Sequence, residues 1–282
     1  MPAQVKNRIK LFADDTKLYC RLSEDSRELQ TDIDALVKWA DRWLLPFNAS
    51  KCKVMHIGSR NPGHAYNMRG APMEVADEEK DLGIVIDKQL NFHDQASAAS
   101  SKASQILAVV RRSFANIDRV TLPLLFKSMV RPYLEYGNTI WGPFSRGDQK
   151  QVERVQRRAT KLVEAISHLP YPERLRRLGL PSLQYRRLRG DMITVYQLFH
   201  GGIDLPPETF LVKSDSHRTR GHRWKVLKPR AASLVRRNSF SSRVINDWNS
   251  LPDSVVSARS VNSFKARLDR HWAGRMFITP FT

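Results

Sequence analysis

The 282-residue chain has an ordinary globular composition, with 41% hydrophobic and 27% charged residues, but its formal net charge is +19. It contains no run of eighteen apolar residues, the minimum for a helix that crosses a bilayer, so a membrane partner is not expected. The two cysteines, Cys20 and Cys52, have no metal-ligand spacing. We therefore expect no zinc site, and a reducing intracellular compartment, either cytoplasm or nucleus.

The basic charge is concentrated in one part of the chain. Residues 1–100 carry 14 Lys and Arg against 15 Asp and Glu, whereas residues 101–282 carry 33 against 13. Two explanations stay open: a surface that binds a polyanion, and a solvated basic surface that favours solubility. The size of the excess favours nucleic acid as the partner.

The first predicted element is a β-hairpin. Residues 8–13 and 16–20 alternate polar and apolar side chains on either side of two acids, Asp14 and Asp15. Period-two alternation is typical of strands, and aspartate is well tolerated in turns. The pattern therefore places both carboxylates at the exposed tip of the hairpin.

A helix and several short strands are predicted next. Apolar residues at helical spacing run from Leu29 to Leu44, include Trp43, and indicate an amphipathic helix that ends before Pro46. Short apolar runs then predict strands at 53–57, 65–68, 73–75 and 82–86, with a turn at 69–72 between the second and third.

From about residue 94 the periodicity is helical. Longer helices are predicted at 94–114, 120–130, 148–167 and 183–200, and short ones at 241–248 and 260–272. Phe264, Leu268 and Trp272 share one face of the last helix. Residues 201–237, rich in Gly, Pro, Ser and basic side chains, predict an irregular connector.

The Phe-Ala-Asp-Asp sequence at residues 12–15 carries the main chemical signal. Polymerases use two Mg²⁺ ions, one to activate the primer oxygen and one to steady the triphosphate, and Mg²⁺ prefers hard oxygen ligands. A tight turn can present two adjacent carboxylates to such ions. An isolated pair of aspartates is more often simple turn chemistry, so the surrounding sequence has to decide between the two interpretations.

Those surroundings resemble the reverse transcriptases of LINE-type (non-LTR) retrotransposons, in particular the jockey-like ones. Residues 11–19 resemble the motif C hairpin of that family, and the following matches run in family order through nearly the whole chain. They are the palm helix at 29–36 and 39–43, the motif D region at 47–55, the primer-grip element at 81–84, the thumb and post-thumb segments at 131–137, Trp141 and 155–159, and the tail at 247–252 and 263–265.

The resemblance implies an α+β fold: a partial palm of β-hairpins plus one helix, then a mostly helical thumb and C-terminal region. It divides the chain into a partial palm at 1–93, a thumb-like and post-thumb region at 94–200, and a basic connector with short helices at 201–282. The implied activity is RNA-templated DNA synthesis with Mg²⁺. The implied partners are an RNA template, a DNA primer and deoxynucleoside triphosphates.

The resemblance also implies roles for particular residues. Asp14 would be a metal ligand with Asp15 beside it, and Leu82 and Gly83 would belong to the primer grip. Lys51 would approach the leaving pyrophosphate as a cation or proton donor, although Lys53 is an equally simple choice and a solvated lysine is the plainer interpretation.

The chain also departs from the family pattern. The palm aspartate of motif A, motif B and the fingers would all precede Met1, so we expect this chain to be a fragment that is inactive alone. Two other interpretations stay open. One is a noncatalytic basic protein that binds nucleic acid, and the other is a decayed gene product with no activity.

Two basic groups are candidate nucleic-acid contacts. One is a stripe at helical spacing, formed by Lys150, Arg154, Arg157, Arg158 and Lys161. The other is Trp224 with Arg223 and Lys225, near Arg218 and Arg220, a mixture of an aromatic ring and cations that suits single-stranded bases. The alternatives are a solvated helix face for the first group and a basic linker for the second.

Overall fold

A computed structural model describes residues 5–21, 26–214 and 221–281, so Arg218 and Arg220 lie outside the described residues. The chain forms two compact units, Met1–Leu90 and Asn91–Thr282, called the first and second unit below. The first combines short strands with one long helix, and the second is mainly helical. The predicted α+β class is confirmed.

The first unit is built from pairs of strands. Its elements are β1 (Arg8–Phe12), β2 (Asp15–Tyr19), α1 (Glu28–Arg42), a 3₁₀ turn (Ala49–Lys51), β3 (Lys53–Val54), β4 (Asn67–Met68), β5 (Ala71–Pro72), β6 (Glu74–Val75), β7 (Glu78–Asp81) and β8 (Ile84–Asp87). Three pairs are antiparallel hairpins, β1–β2, β4–β5 and β7–β8. The fourth pair, β3–β6, is parallel.

Tight turns correct two of the predicted strands. Arg69 and Gly70 have φ angles of 53° and 78° and form a two-residue turn, so the strand that pairs with β4 is β5. The predicted strand at 73–75 is present as β6, but it pairs with β3. Leu82 and Gly83 have φ angles of 45° and 86° and form the turn between β7 and β8. The predicted strand at 82–86 therefore begins two residues later, because its first two residues reverse the chain.

The predicted helix over Leu29–Leu44 is confirmed in α1, which packs a small apolar cluster through Ile33. The prediction that the apolar face of α1 extends to Trp43 and Leu44 was wrong. The helix ends at Arg42, so Trp43 and Leu44 leave the helical spacing and their side chains are 62% and 86% exposed. Leu44 takes a positive φ of 55°, which turns the chain away from the helix axis.

In the second unit, the helices predicted at 94–114 and 183–200 are present as long helices, whereas those predicted at 120–130 and 148–167 are divided into shorter segments. Its helices are α2 (His93–Ser113), α3 (Thr121–Leu125), α4 (Arg131–Glu135), α5 (Asn138–Trp141), α6 (Arg146–Ala159), α7 (Glu164–Ser167), α8 (Tyr171–Leu178), α9 (Leu183–Phe199), α10 (Leu234–Asn238), α11 (Phe240–Asn249), α12 (Asp253–Val256) and α13 (Val261–His271). A π-helical turn, Phe126–Val130, joins α3 to α4. It lies just before Pro132, which has no N–H to donate to the carbonyl four residues earlier.

One apolar cluster joins α9 to the last helices of the second unit. Trp248 and Phe264 are fully buried in it, and Leu268 and Trp272 complete the predicted face of α13. The division of the chain at residue 200 stays a prediction. Within the described residues, no helix is both long and apolar enough to cross a membrane.

Candidate functional site

Asp14 and Asp15 lie at the tip of the first hairpin. Phe12 pairs with Asp15 across the hairpin, which leaves Ala13 and Asp14 as the two turn residues, and Ala13 has a φ of 51°. Both aspartates are exposed, and neither carboxylate forms an ion pair or a hydrogen bond with a described residue. The alternation of the sequence predicts this placement, and the donor atoms are carboxylate oxygens of the kind that Mg²⁺ prefers.

A buried acid of α1 holds the start of this hairpin. The carboxylate of Asp32 accepts hydrogen bonds from the backbone N–H groups of Lys6 and Asn7, both at 2.9 Å, and from Asn7 Nδ2 at 2.8 Å. Burial by itself would raise the pKa of Asp32, but these hydrogen bonds to the charged form outweigh it and lower the pKa. A charged Asp32 therefore holds Lys6 and Asn7, the residues that lead into β1, against α1.

The position of Asp32 in the sequence already indicates a buried acid, although the predicted site residues do not include it. Asp32 lies three residues after Leu29 and four before Leu36, which places it on the apolar face of α1. An acid on such a face needs hydrogen-bond donors, and only the folded chain shows that the donors are at Lys6 and Asn7.

A salt bridge links the first hairpin to the one that carries Leu82 and Gly83. Lys17 of β2 pairs with Asp81 at the end of β7, directly before that turn. The structure therefore places Leu82 and Gly83 at the exposed tip of a hairpin tied to the one that carries the two aspartates. A role in primer binding stays a prediction.

The two lysines proposed for the leaving group differ in their surroundings. Lys53 Nζ lies 3.0 Å from Glu79 and 3.7 Å from Glu74, and the hydrogen bond to Glu79 is the main cause of its raised pKa. Lys51 is exposed at the end of a 3₁₀ turn and pairs with no acid in the described ranges. The structure thus favours Lys51 over Lys53 as the available cation.

In the second unit, α6 lies alongside α2 and runs in the same direction. Three hydrogen-bonded pairs advance together along both helices: His93 with Asp148 at 2.6 Å, Ser97 with Gln151 at 3.0 Å, and Ser104 with Arg158. Ser145 caps the beginning of α6 by accepting the backbone N–H of Asp148 at 3.0 Å. These contacts fix the rotation of α6 about its own axis.

That rotation turns the basic stripe of α6 outward. Val152, Val155 and Ala159 are buried, whereas Lys150, Arg154, Arg157 and Arg158 are half-buried or exposed. Lys161, the last member of the predicted stripe, is exposed in the 3₁₀ turn Thr160–Leu162 that follows α6. Arg157 also stacks on the ring of Phe281, 4.8 Å from its centroid. The predicted separation of apolar and basic faces is present, and contact with nucleic acid stays a prediction.

The inner face of α6 carries a buried acid that anchors the next helices. Glu153 accepts hydrogen bonds from the Tyr171 hydroxyl at 2.7 Å and from the backbone N–H groups of Leu183 at 3.0 Å and Gln184 at 3.3 Å. Burial raises the pKa of Glu153 against the effect of these donors. The helix that carries the basic face is thus hydrogen-bonded to α8 and α9 through Glu153.

Trp224 occupies a different environment from the one that its sequence suggests. Its ring lies 5.5 Å from that of Phe199 and 5.0 Å from that of His200, with Lys213 Nζ at 4.8 Å and Arg223 Cζ at 5.2 Å from its centroid. Its carbonyl accepts the indole N–H of Trp248 at 2.7 Å. The segment around Trp224 therefore packs on the core, and stacking on bases by Trp224, flanked by Arg223 and Lys225, stays a prediction.

Three curated proteins of Drosophila melanogaster resemble the chain in sequence. The RNA-directed DNA polymerase from mobile element jockey is 27% identical over 216 residues, 73% of this chain and 23% of its own length. The probable polymerase from transposon BS is 26% identical over 59% of this chain and 19% of its own. The probable polymerase from transposon X-element is 22% identical over 56% and 18%.

The chain is related to the RNA-directed DNA polymerases of non-LTR retrotransposons. It spans about a fifth of the length of these polymerases, since it covers 18%, 19% and 23% of them. No family model matches the chain, and no solved structure matches it. The resemblance predicted from the motifs is confirmed.

Because the relatives are polymerases, the carboxylates of Asp14 and Asp15 at the hairpin tip are the first candidates for metal ligands. The described part of the chain contains no group of three or more His, Cys, Asp or Glu side chains placed to hold a metal ion. Asp14 and Asp15 supply two adjacent carboxylates with the right chemistry. They fit a contribution to a magnesium site, to which further ligands would come from substrate phosphates, water or other residues.

Proposed function

We propose that this chain provides the motif C carboxylates and a nucleic-acid-binding helical unit of an RNA-directed DNA polymerase. The observation that carries the proposal is the exposed pair Asp14 and Asp15 at a tight hairpin tip, in a chain whose relatives are named RNA-directed DNA polymerases. Its partners would be an RNA template, a DNA primer and deoxynucleoside triphosphates.

At the hairpin tip, Asp14 and Asp15 would hold Mg²⁺. The metal would activate the primer oxygen and neutralise charge on the triphosphate. Asp32 would position the two carboxylates by fixing the start of β1, and the Lys17–Asp81 salt bridge would position the Leu82–Gly83 turn near them. Lys51 would present a cation or a proton to the departing pyrophosphate.

The helical unit supports a second candidate function, binding of nucleic acid without catalysis. Lys150 and Arg154 on the outward face of α6, and Lys161 in the 3₁₀ turn that follows it (Thr160–Leu162), pair with no acid among the residues that the structure describes. Phosphate contacts from such a face need no metal and no nucleotide. This function therefore does not depend on Asp14 and Asp15.

A primer-extension assay tests whether the chain is a catalyst by itself. We propose that the purified chain, given a primed RNA template, Mg²⁺ and deoxynucleoside triphosphates, gives no templated extension by itself, because two carboxylates alone are a poor two-metal site. Asp14→Asn is the matched variant, since it keeps the size of the side chain and removes its charge. Templated extension that disappears in this variant would show that the chain is a complete catalyst.

Salt dependence tests the binding role of α6. Affinity for single-stranded RNA is expected to fall with salt at a log–log slope of about 0.7 per phosphate contacted. Arg154→Ala should lower that slope by about 0.7 if the side chain contacts one phosphate. Arg259→Ala is the matched control, because Arg259 is also exposed but lies between α12 and α13. If both substitutions lower the salt slope equally, the basic residues of the stripe act only through the net charge of the chain and not through specific phosphate contacts.

A further inference from the structure

A pocket in the second unit has no role in the proposed function so far. It has a volume of about 290 Å³ and lies between α9 and the chain from the end of α4 into α5. This volume is close to the lower limit of small-molecule sites in proteins, so it suits a single small group better than an extended ligand.

Two buried polar atoms at this pocket have no hydrogen-bond partner among the described residues. They are Nη1 of Arg187, a side chain that is only 8% exposed, and Oδ1 of Asn138. Buried polar atoms are satisfied in the great majority of cases, so two of them at one cavity indicate a ligand. One atom is a donor and the other an acceptor.

The other charges at the pocket already have partners. Both guanidinium nitrogens of Arg186 that face Glu135 bind its carboxylate, and the carboxylate of Asp191 accepts two hydrogen bonds from Arg243, both at 2.9 Å. An isolated phosphate would satisfy Arg187, but it would leave Asn138 Oδ1 unpaired and would approach two carboxylates. The set fits a neutral group that offers an acceptor beside a donor.

A glycine in the middle of α9 keeps the pocket open. Gly190 lines the pocket, and a Cβ built on it would meet no atom within 4 Å. Glycine is unfavourable inside a helix, and nothing in the packing around Gly190 requires the absence of a side chain. Gly190 therefore lowers the stability of α9 and leaves open space beside Arg187.

We propose that this pocket binds the edge of one unpaired nucleobase, with Arg187 as donor and Asn138 as acceptor. Every nucleobase presents a hydrogen-bond donor next to an acceptor on its pairing edge, and bases of single-stranded nucleic acid are recognised through such edges. The inference rests on the proposed function, since it specifies how the helical unit holds a single strand. The pocket would add base contacts to the phosphate contacts of α6.

A pair of probes isolates the contribution of one base. The first is an abasic ribose-phosphate oligomer, and the second is the same oligomer with one uridine at its centre. Both carry the same phosphates. The wild-type chain is expected to bind the uridine-containing oligomer about tenfold more tightly, with the same salt slope for both.

Gly190→Leu fills the pocket with a side chain that favours the helix, and it should bind both oligomers equally while keeping wild-type affinity for the abasic one. Gly274→Leu is the matched control, since Gly274 is exposed with open space around it, and it should keep the tenfold difference. Thermal unfolding checks that the variants fold. If Gly190→Leu does not, Gly190→Ala is used, for which a reduced difference is expected.

The outcomes distinguish this inference from the proposed function. If neither oligomer binds at low salt, nucleic-acid binding itself is wrong, and the base pocket with it. If both bind equally well to the wild-type chain, the binding function stands and the pocket holds only solvent. If the preference for uridine survives in Gly190→Leu, the base is bound elsewhere and the assignment to Arg187 and Asn138 is overturned.

Discussion

The two units of the chain reach stability by different means. In the first unit, the strands form four separate pairs, and among these strands the small cluster around Ile33, Tyr66 and Met68 includes residues of only β2, β3 and β4. In the second, one cluster extends from α9 to the final helices and fully buries Trp248 and Phe264. A two-stranded hairpin is marginal in water without further packing, so the first unit depends more on individual polar contacts.

This difference bears on function because the two candidate sites lie on different units. The aspartate pair stands on a hairpin held by Asp32 and by the Lys17–Asp81 salt bridge. The basic face stands on α6, whose Val152, Val155 and Ala159 are buried, and the pocket borders α9, which packs in the large apolar cluster. We therefore expect the carboxylates to be positioned weakly by this chain alone, and the basic face of α6 to be rigid.

The largest expected effect is on the core of the second unit. Trp248→Ala removes a fully buried ring that stacks on Phe199 and donates its indole N–H to the carbonyl of Trp224. Truncation of a buried tryptophan costs about 3–5 kcal/mol of unfolding free energy. Urea unfolding followed by far-ultraviolet circular dichroism measures the loss.

Trp43→Ala is the matched control, because the same chemical change is made where the ring is 62% exposed. Its effect should stay within about 0.5 kcal/mol, as for most surface substitutions. A loss comparable to that of Trp248→Ala would mean that Trp43 is buried in solution. The contrast between the two units would then fail.

Hydrogen exchange compares the units directly. Amides from Ile9 to Tyr19 should exchange fast, since this hairpin has few buried apolar contacts, and those of α6 and α9 should exchange slowly. We expect protection to differ by about a hundredfold or more, equivalent to about 2.7 kcal/mol. Equal protection of the hairpin and α9 would show that the first unit is self-sufficient.

The sequence predicted the long elements well and the short ones poorly, for a physical reason. A helix such as α9 repeats its apolar residues over several turns, so the pattern outweighs any single exception. The strands β3 to β6 have two residues each, which is too short for a period to appear. Their pairing depends on turn geometry, as at Arg69 and Gly70, and on contacts distant in sequence.

The residues of the candidate sites also differ in how well the sequence predicts them. Asp14 and Asp15 are continuous in sequence and carry a motif, so their placement was predictable. Arg187 was not, because it lies among several arginines that resemble a solvated basic segment, and its burial depends on packing against other helices. Gly190 was the available signal, since a glycine inside a helical pattern often has a packing or functional reason.

A smaller effect is expected when the polar anchor of the first hairpin is weakened. Asp32→Asn keeps the shape of the side chain but replaces one acceptor oxygen by a donor that faces the backbone N–H groups of Lys6 and Asn7. We expect a loss of about 1–3 kcal/mol in the first unit. The NMR signals of β1 and β2 amides in a urea titration report it. Asp34→Asn, on an exposed position of the same helix, should have little effect.

The smallest effect is the acid dependence of the same contact. Because hydrogen bonds lower the pKa of folded Asp32 below its ordinary value of 3.8, its contribution to stability is complete only well above pH 3.8 and disappears as pH falls through the lower folded-state pKa. The urea midpoint of the first unit should therefore fall between about pH 5 and about pH 2.5, and it should fall less in Asp32→Asn.

A second carboxylate of the first unit provides the comparison for this titration. The hydrogen bond from Lys53 is the main reason that the pKa of Glu79 is lowered, but Glu79 is exposed and its ion pair is screened by solvent. Glu79→Gln should therefore leave most of the acid dependence in place. If Glu79→Gln removes the dependence and Asp32→Asn does not, the hairpin is held by the surface pair. The buried anchor on α1 would then have no measurable part in positioning Asp14 and Asp15.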